Sequence, residues 1–284
     1  MSNLARFTPS APEFDDDDFR RFAEYFYRKT GMLFTDNKRY FVDKRVQERI
    51  LQCGYGAFDE YFTHLKRDSG EYQALVNAMT VNETYFYRES YQLDCLVKSM
   101  LPEIAASLSP RKPLRIWSMP CSTGEEPYSI AFYLLEHWPH VDDFEIEIVA
   151  SDIDTSVLEK ARDGVYAARA LQHVPPATVR KFTIDAGGGL RRVMPALRDS
   201  IKFTQANLMD VALDWQLRDF HVVFCRNLLI YFDDISRREA AAAIYSAMAP
   251  GGFVCLGHSE SMSRISSLFA LRKFAEGIVY QKPV

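Results

Sequence analysis

The sequence predicts two parts in one chain: an all-helical front, then an α/β back built on a mostly parallel sheet. Three observations lead there. Up to about residue 109, apolar residues recur at helical spacing with no alternating strand pattern. After Pro113, short apolar runs alternate with helical segments, as when parallel strands are covered by helices. Between Gly164 and Ala206 that alternation lapses around Gly187-Gly188-Gly189, which predicts a small antiparallel excursion. A length of 284 residues, at roughly 150 per domain, agrees with two domains.

The elements follow in order. Asp15–Asp18 supply an N-cap and an acidic first turn, Phe19, Phe22, Phe26 and Tyr27 form an apolar face, and Gly31 ends the helix. A second helix is expected from Asn37 to Cys53 with Gly54 as its stop, a third over Phe58–Asp68, and a fourth over Tyr72–Met79. A longer one, Ser90–Leu108, leads into the connector Ser109-Pro110-Arg111-Lys112-Pro113. Strands are expected at Leu114–Trp117, Glu145–Ala150, Phe220–Phe224 and Phe253–Leu256. Helices are expected at Pro127–His137, Ser156–Arg162 and Asp234–Met248, and a closing hairpin at Phe269–Tyr280. The domains are therefore placed at 1–88 (helical), 89–112 (linker helix and connector) and 113–284 (sheet), with the antiparallel subdomain at about 164–206.

Composition narrows the class. Apolar residues make up 48% and charged residues 25%, ordinary for a globular protein and unlike a disordered or coiled-coil chain. The uncharged stretch between Glu239 and Glu260 is broken by Pro250, Gly251 and Gly252, and reads as helix, turn and buried strand rather than a membrane span. The N-terminus lacks the basic-then-apolar layout of a signal peptide. Cys53, Cys95, Cys121, Cys225 and Cys255 are odd in number, spread out and without a CxxC pair, which fits reduced thiols in the cytosol and no structural metal. A net charge of −4 gives no overall field for nucleic acid.

In a doubly wound sheet, ligands bind beyond the carboxyl ends of the strands. The first such loop, Ser118 to Pro127, has a single glycine, so it lacks both the dinucleotide fingerprint and the Gly-Lys-Ser/Thr of a phosphate loop. Glu125 and Glu126 stand where a phosphate would sit. They suit an ammonium or sulfonium ligand, although acids in a helix first turn are also favoured for the dipole alone. The second strand ends Ala150-Ser151-Asp152-Ile153-Asp154. A carboxylate there can accept both hydroxyls of a ribose, and Asp152 could equally cap the next helix. Acids without the glycine fingerprint, followed by an acidic second strand end, form the pattern expected for S-adenosylmethionine. Asn207 and Leu208, after strand-like Ile201–Thr204, could meet an adenine edge and face, or form an ordinary turn. Cys225–Phe232 lacks the Pro-Pro of base-methylating enzymes. His258, Cys121 and Cys225 read as structural, and Phe19, Phe22 and Phe26 as core.

Together Asn82–Arg88, Trp117-Ser118, Cys121–Ser129, Ala150–Asp154, Cys225–Phe232 and Gly257-His258-Ser259-Glu260 resemble the bacterial chemotaxis receptor glutamate O-methyltransferases, the CheR-type enzymes, from about Phe19 to Tyr280. The resemblance implies a Rossmann-like S-adenosylmethionine-dependent methyltransferase domain behind a small helical domain. It implies transfer of methyl groups to glutamate side chains on cytoplasmic receptor helices, with S-adenosylhomocysteine as co-product. Carried over by motif, Asn82, Thr84, Arg88, Glu126, Asp152, Asn207, Leu208, Arg226 and Asn227 bind the cofactor, with Glu126 preferred over Glu125. Arg88 and Tyr231 lie nearest the reacting groups. Met119-Pro120 departs from the small residues common in relatives, and the excursion around Gly187–Gly189 is short. In some relatives that subdomain binds a C-terminal receptor pentapeptide. Arg45 and Arg49, four apart on the basic second helix, form the expected docking face for an acidic receptor helix. A monomer is expected. The rival reading is a non-catalytic module of the same fold that binds S-adenosylmethionine or receptor.

Overall fold

The computed structural model describes residues 13–109, 112–210 and 216–284. Pro110 and Arg111 of the expected connector, and the N-terminal stretch read for a signal peptide, fall wholly or partly outside them. The chain divides into two compact units, one ending at Thr80 and the other starting at Val81. The segment Asn82–Arg88 thus travels with the second unit.

The first unit holds α1 (Asp16–Thr30), α2 (Arg39–Gln52), α3 (Phe58–Leu65) and α4 (Ser69–Met79). Asp15 caps α1 by accepting from the Asp17 and Asp18 N–H groups, and Gly31 ends it at φ +73°. Phe19, Phe22 and Phe26 are core, with Val42, Val46, Ile50 and Leu75. A 3-10 turn at Asp36–Lys38 takes the place of the expected first turn of α2. The third helix stops at Leu65 rather than Asp68, because Asp68 serves α4 as N-cap and accepts from Glu71 N–H at 2.8 Å. A polar hub lies inside this unit. Glu71, 5% exposed, accepts from Arg49, from the Tyr61 hydroxyl at 2.8 Å and from the Cys53 thiol at 3.1 Å.

The second unit opens with the expected long helix, broken into α5 (Ser90–Cys95), a π-turn (Leu96–Met100) and α6 (Leu101–Ser107). Pro102 explains the break: it brings no N–H to the helix ladder, and the turn before it widens to compensate. Then come β1 (Leu114–Ser118), α7 (Glu125–His137), β2 (Ile146–Asp152), α8 (Thr155–Asp163) and β3 (Val165–Ala167). They are followed by α9 (Pro176–Phe182), β4 (Thr183–Gly187), β5 (Leu190–Val193), α10 (Pro195–Asp199) and β6 (Ile201–Gln205). The chain finishes with β7 (Phe220–Cys225), α11 (Asp234–Ala247), β8 (Met248–Leu256), β9 (Ala270–Lys273) and β10 (Ile278–Gln281).

Seven strands form one sheet in the order β6-β2-β1-β7-β8-β10-β9. It is parallel through β8, and the expected hairpin β9–β10 closes it antiparallel. The excursion is a separate antiparallel sheet, β3-β5-β4. Its short helices α9 and α10 carry no apolar periodicity to betray them, and each begins with a proline in its first turn, where a missing N–H costs nothing. Trp117, Phe132, Val222, Phe224 and Phe253 are buried in the core of this unit. Chain order reverses beside β1: β2 and β6 lie on one side and β7 on the other. That is where a parallel sheet opens a crevice at its carboxyl ends.

Candidate active site

The loop after β1 is stitched down on both sides. Met119 N–H donates to the Phe224 carbonyl at 2.9 Å, and Cys121 N–H to the Ser151 carbonyl at 2.8 Å. Ser122, at φ +48°, aims its N–H at Asp152 Oδ2 (2.8 Å), whose other oxygen accepts from Asp154 N–H at 3.0 Å. Burial pushes the Asp152 carboxyl up to about 6. The helix cap that Asp152 could have supplied is supplied by Asp154. It caps α8 through the Ser156 and Val157 N–H groups and leaves Asp152 facing the loop. The Ser122 hydroxyl is buried without a partner among the described residues.

The two adjacent glutamates differ. Glu125 is buried against the Thr123 hydroxyl at 2.6 Å, and burial raises its pKa. Glu126 accepts from the Ser118 hydroxyl at 2.7 Å and pairs with Arg226 Nη1 at 2.9 Å. Arg226, at the end of β7, is itself buried. Its second nitrogen donates to the Arg88 carbonyl at 2.8 Å and lies 3.3 Å from Glu89. Two acids around one guanidinium offset part of the cost of burying it, while its Nε has no partner among the described residues.

The segment Asn82–Arg88 is held along its length. Asn82 donates to Asp154 Oδ2 at 2.9 Å, Phe86 N–H to the Ala170 carbonyl at 3.0 Å, and Tyr87 N–H to the Ser129 hydroxyl at 3.0 Å. Tyr87 (φ +60°) and Glu89 (φ +54°) adopt left-handed backbone. Such a conformation persists only where surrounding contacts fix it. The Arg88 guanidinium donates to the Glu83 carbonyl at 2.9 Å and lies 5.7 Å from the Tyr85 ring centre. Thr84 is half-buried.

Asn227 follows Arg226 at φ +59°, and Tyr231 ends the 3-10 turn Leu229–Tyr231. Tyr231 is 38% exposed. Burial raises its hydroxyl pKa, and the charge of Arg88 pulls it back. At the end of β6, Asn207 makes a local turn, accepting from Met209 N–H at 3.1 Å and donating to Asp210 at 3.1 Å, while Leu208 is buried.

Thus Asn82, Arg88, Glu126, Asp152, Arg226, Asn227 and Tyr231 come together at the carboxyl ends of β1, β2 and β7 and on the segment that crosses them. Arg45 and Arg49 belong to the helical unit and turn inward. Arg49 is engaged by Glu71. Arg45 donates to the Ala78 carbonyl at 2.6 Å, with its guanidinium 3.5 Å from the Phe41 ring centre. Of the cations between residues 38 and 49, Lys38 and Lys44 are exposed. Sequence reasoning missed Ser118, Glu89 and Glu260. Ser118 and Glu260 carried a signal, since both stand in motifs quoted for the resemblance but given no role; Glu89 carried none. Among the described residues no group of His, Cys, Asp and Glu could hold a metal, and no helix is long and apolar enough to cross a membrane.

Residues 82–278 match the model of the CheR methyltransferase S-adenosylmethionine-binding domain, and residues 17–80 that of the CheR methyltransferase all-alpha domain. The chain is 50% identical to chemotaxis protein methyltransferase 2 of Vibrio cholerae over 270 residues, 94% of this chain and 93% of that protein. It is 39% identical to chemotaxis protein methyltransferase 2 of Pseudomonas aeruginosa (89% of each chain), and 35% identical to the chemotaxis protein methyltransferase of Escherichia coli (90% and 88%). A parallel sheet with its crevice beside β1, an acid at the end of β2 and an all-helical front fit these matches throughout: the chain belongs to the CheR methyltransferase family of S-adenosylmethionine-dependent enzymes.

Proposed function

We propose a division of labour at this site for the family's reaction, the formation of methyl esters on glutamate side chains of chemoreceptors. The observation that carries it is the pairing of Asp152 with the β1 loop: a buried carboxylate at the end of β2, fixed by Ser122 N–H, beside a serine hydroxyl that has no partner among the described residues. These groups fit S-adenosylmethionine. Asp152 accepts its ribose hydroxyls, and Asn82, Thr84, Asn207, Leu208 and Asn227 line the remainder of the pocket. Glu126 and Arg226, already paired, present a nearly neutral polar wall to a donor that carries both signs of charge. Bound there, S-adenosylmethionine supplies a methyl group made electrophilic by its sulfonium.

The enzyme's own residues then have little proton chemistry to do. A glutamate carboxylate has an ordinary pKa of about 4.3 and arrives ionised near neutral pH, so no general base is needed. Arg88 and Tyr231 orient it: the guanidinium offsets its charge, and the hydroxyl, kept protonated by burial, donates to it and excludes water. Positioning of this kind contributes roughly 7–11 kcal/mol where the geometry is good. Each turnover removes one negative charge from the receptor helix.

Receptor docking is assigned to the exposed Lys38 and Lys44, with Arg45 and Arg49 supporting that surface from within. The edge strand β4, with Ile184 exposed, suits a receptor C-terminal peptide. The enzyme is read as a cytoplasmic monomer. Incubation with labelled donor and receptor fragments, with and without their C-terminal tails, tests the whole reading. A base-labile ester on glutamate is expected. A base-stable product, or donor binding without transfer, would overturn it.

A further inference from the structure

We infer that Glu260 is a positioning residue for methyl transfer: its carboxylate clamps the loop after β7 to the loop after β8 and so sets the places of Asn227 and Tyr231. The inference rests on the roles proposed above for those two residues. Glu260 Oε2 accepts from Asn227 N–H at 2.9 Å and from Gly257 N–H at 2.8 Å, while Oε1 accepts from Leu229 N–H at 2.8 Å. With the Ile230 N–H, four backbone donors from two loops thus converge on one half-buried carboxylate, an anion nest filled by the protein itself.

The local backbone depends on that anion. Asn227 sits at φ +59°, a region that asparagine tolerates but does not choose without support. Leu229 begins the 3-10 turn that ends in Tyr231, so the Leu229 N–H bond fixes where the turn starts. Gly257 completes the fit. A Cβ there would stand 2.9 Å from both the Asn227 side-chain nitrogen and Glu260 Oε2, and 3.1 Å from Asn227 N. Only a glycine lets the two loops approach this closely around the carboxylate. The Glu260 oxygens are engaged by backbone, and the residue acts through what that backbone carries.

The test is a double-mutant cycle. Glu260→Gln keeps the shape of the side chain but sets an amide nitrogen against at least one of these N–H groups. It is made alone and with Tyr231→Phe in the full-length enzyme. Methylation of receptor fragments, calorimetric binding of S-adenosylhomocysteine and thermal melting are measured for each. The expected result for Glu260→Gln is a kcat lower by about tenfold or more with the cooperative melt retained. In that background, Tyr231→Phe should cost much less than it costs in the wild type. Gly257→Ala, which pushes on the same carboxylate, should reproduce the loss of kcat and serves where Glu260→Gln does not fold. Wild-type kcat in Glu260→Gln, or losses that simply multiply, would overturn the clamp. So would collapse of the melt in both variants, since the carboxylate would then serve the fold alone. If the wild type itself labels no receptor, the functional reading fails first and takes the clamp with it. With an active wild type, the cycle bears on the clamp alone.

Discussion

Arg226 joins Glu126 at 2.9 Å across 100 residues of chain, and the same guanidinium takes the Arg88 carbonyl at 2.8 Å. One side chain therefore connects the end of β7, the first turn of α7 and the segment that crosses the crevice. Replacing it with alanine leaves Glu126 and Glu89 facing each other with no cation. Arg226→Ala is expected to destabilise the sheet unit by about 3–5 kcal/mol, the usual cost of stranding a buried charge. Arg226→Lys should recover part of this, since a point charge cannot serve three acceptors in a plane. Urea denaturation of both variants checks the ranking.

Asp152 gives the site a pH dependence whose sign follows from its raised pKa of about 6. An acid whose folded-state pKa lies above its unfolded value binds its proton more tightly when folded. Its contribution to stability is therefore greatest at low pH and is lost as pH rises through about 6. Donor binding runs the other way, because ribose hydroxyls are best accepted by the ionised carboxylate. Affinity for S-adenosylhomocysteine should weaken as pH falls below about 6, by up to tenfold per pH unit. Asp152→Asn should bind weakly and nearly independently of pH between 5 and 8. Calorimetry across that range provides the check.

Tyr231→Phe removes one hydroxyl from a half-buried surface and no charge. Its expected effect is on turnover: kcat lower by about tenfold, with binding of S-adenosylhomocysteine unchanged. Arg88→Ala should lower kcat and also weaken donor binding, because its side chain holds Glu83 and packs near Tyr85. Wild-type turnover in both variants would remove these residues from the reacting centre.

Docking calls for a different choice of variants from the one the sequence suggests. Arg49→Glu would set a second carboxylate against buried Glu71, and is expected to destabilise the helical unit by about 3–5 kcal/mol whatever it does to the receptor. Lys38→Glu with Lys44→Glu changes exposed charge alone. The pair should raise KM for receptor about threefold to tenfold at low salt, leave donor affinity as it was, and lose its effect as salt rises. Steady-state kinetics at two ionic strengths distinguishes docking from damage.

The parts legible in the sequence are those governed by near neighbours. Asp15 and Gly31 bracket α1 because capping is a matter of a few residues, and the apolar runs of β1, β2, β7 and β8 stand out because strands buried on both faces need them. Asp152 was legible as an acid at a strand end, since strand ends in such a sheet define the crevice. Asp68 was not: a residue that can end one helix or start the next is decided by packing. Neither was the inward turn of Arg49, because its partner Glu71 lies 22 residues away on α4. No spacing argument distinguishes the surroundings of Glu125 from those of Glu126. What separates the two is Arg226, a residue 100 positions later, and no local pattern announces such a pair.

The antiparallel excursion has a root as well as a tip, and the two are under different constraints. At the root, the Tyr166 hydroxyl on β3 donates to the Thr123 carbonyl of the β1 loop at 2.7 Å, and the Ala170 carbonyl accepts from Phe86 N–H in the segment Asn82–Arg88. Gly124 stands in the same joint, where a Cβ would come within 2.9 Å of Ala161 Cβ. At the tip, an added Cβ on Gly187, Gly188 or Gly189 meets no atom within 4 Å, and only their left-handed backbone limits what replaces them. The excursion is thus a bracket whose root braces the β1 loop and the segment Asn82–Arg88, and whose tip stands in open space.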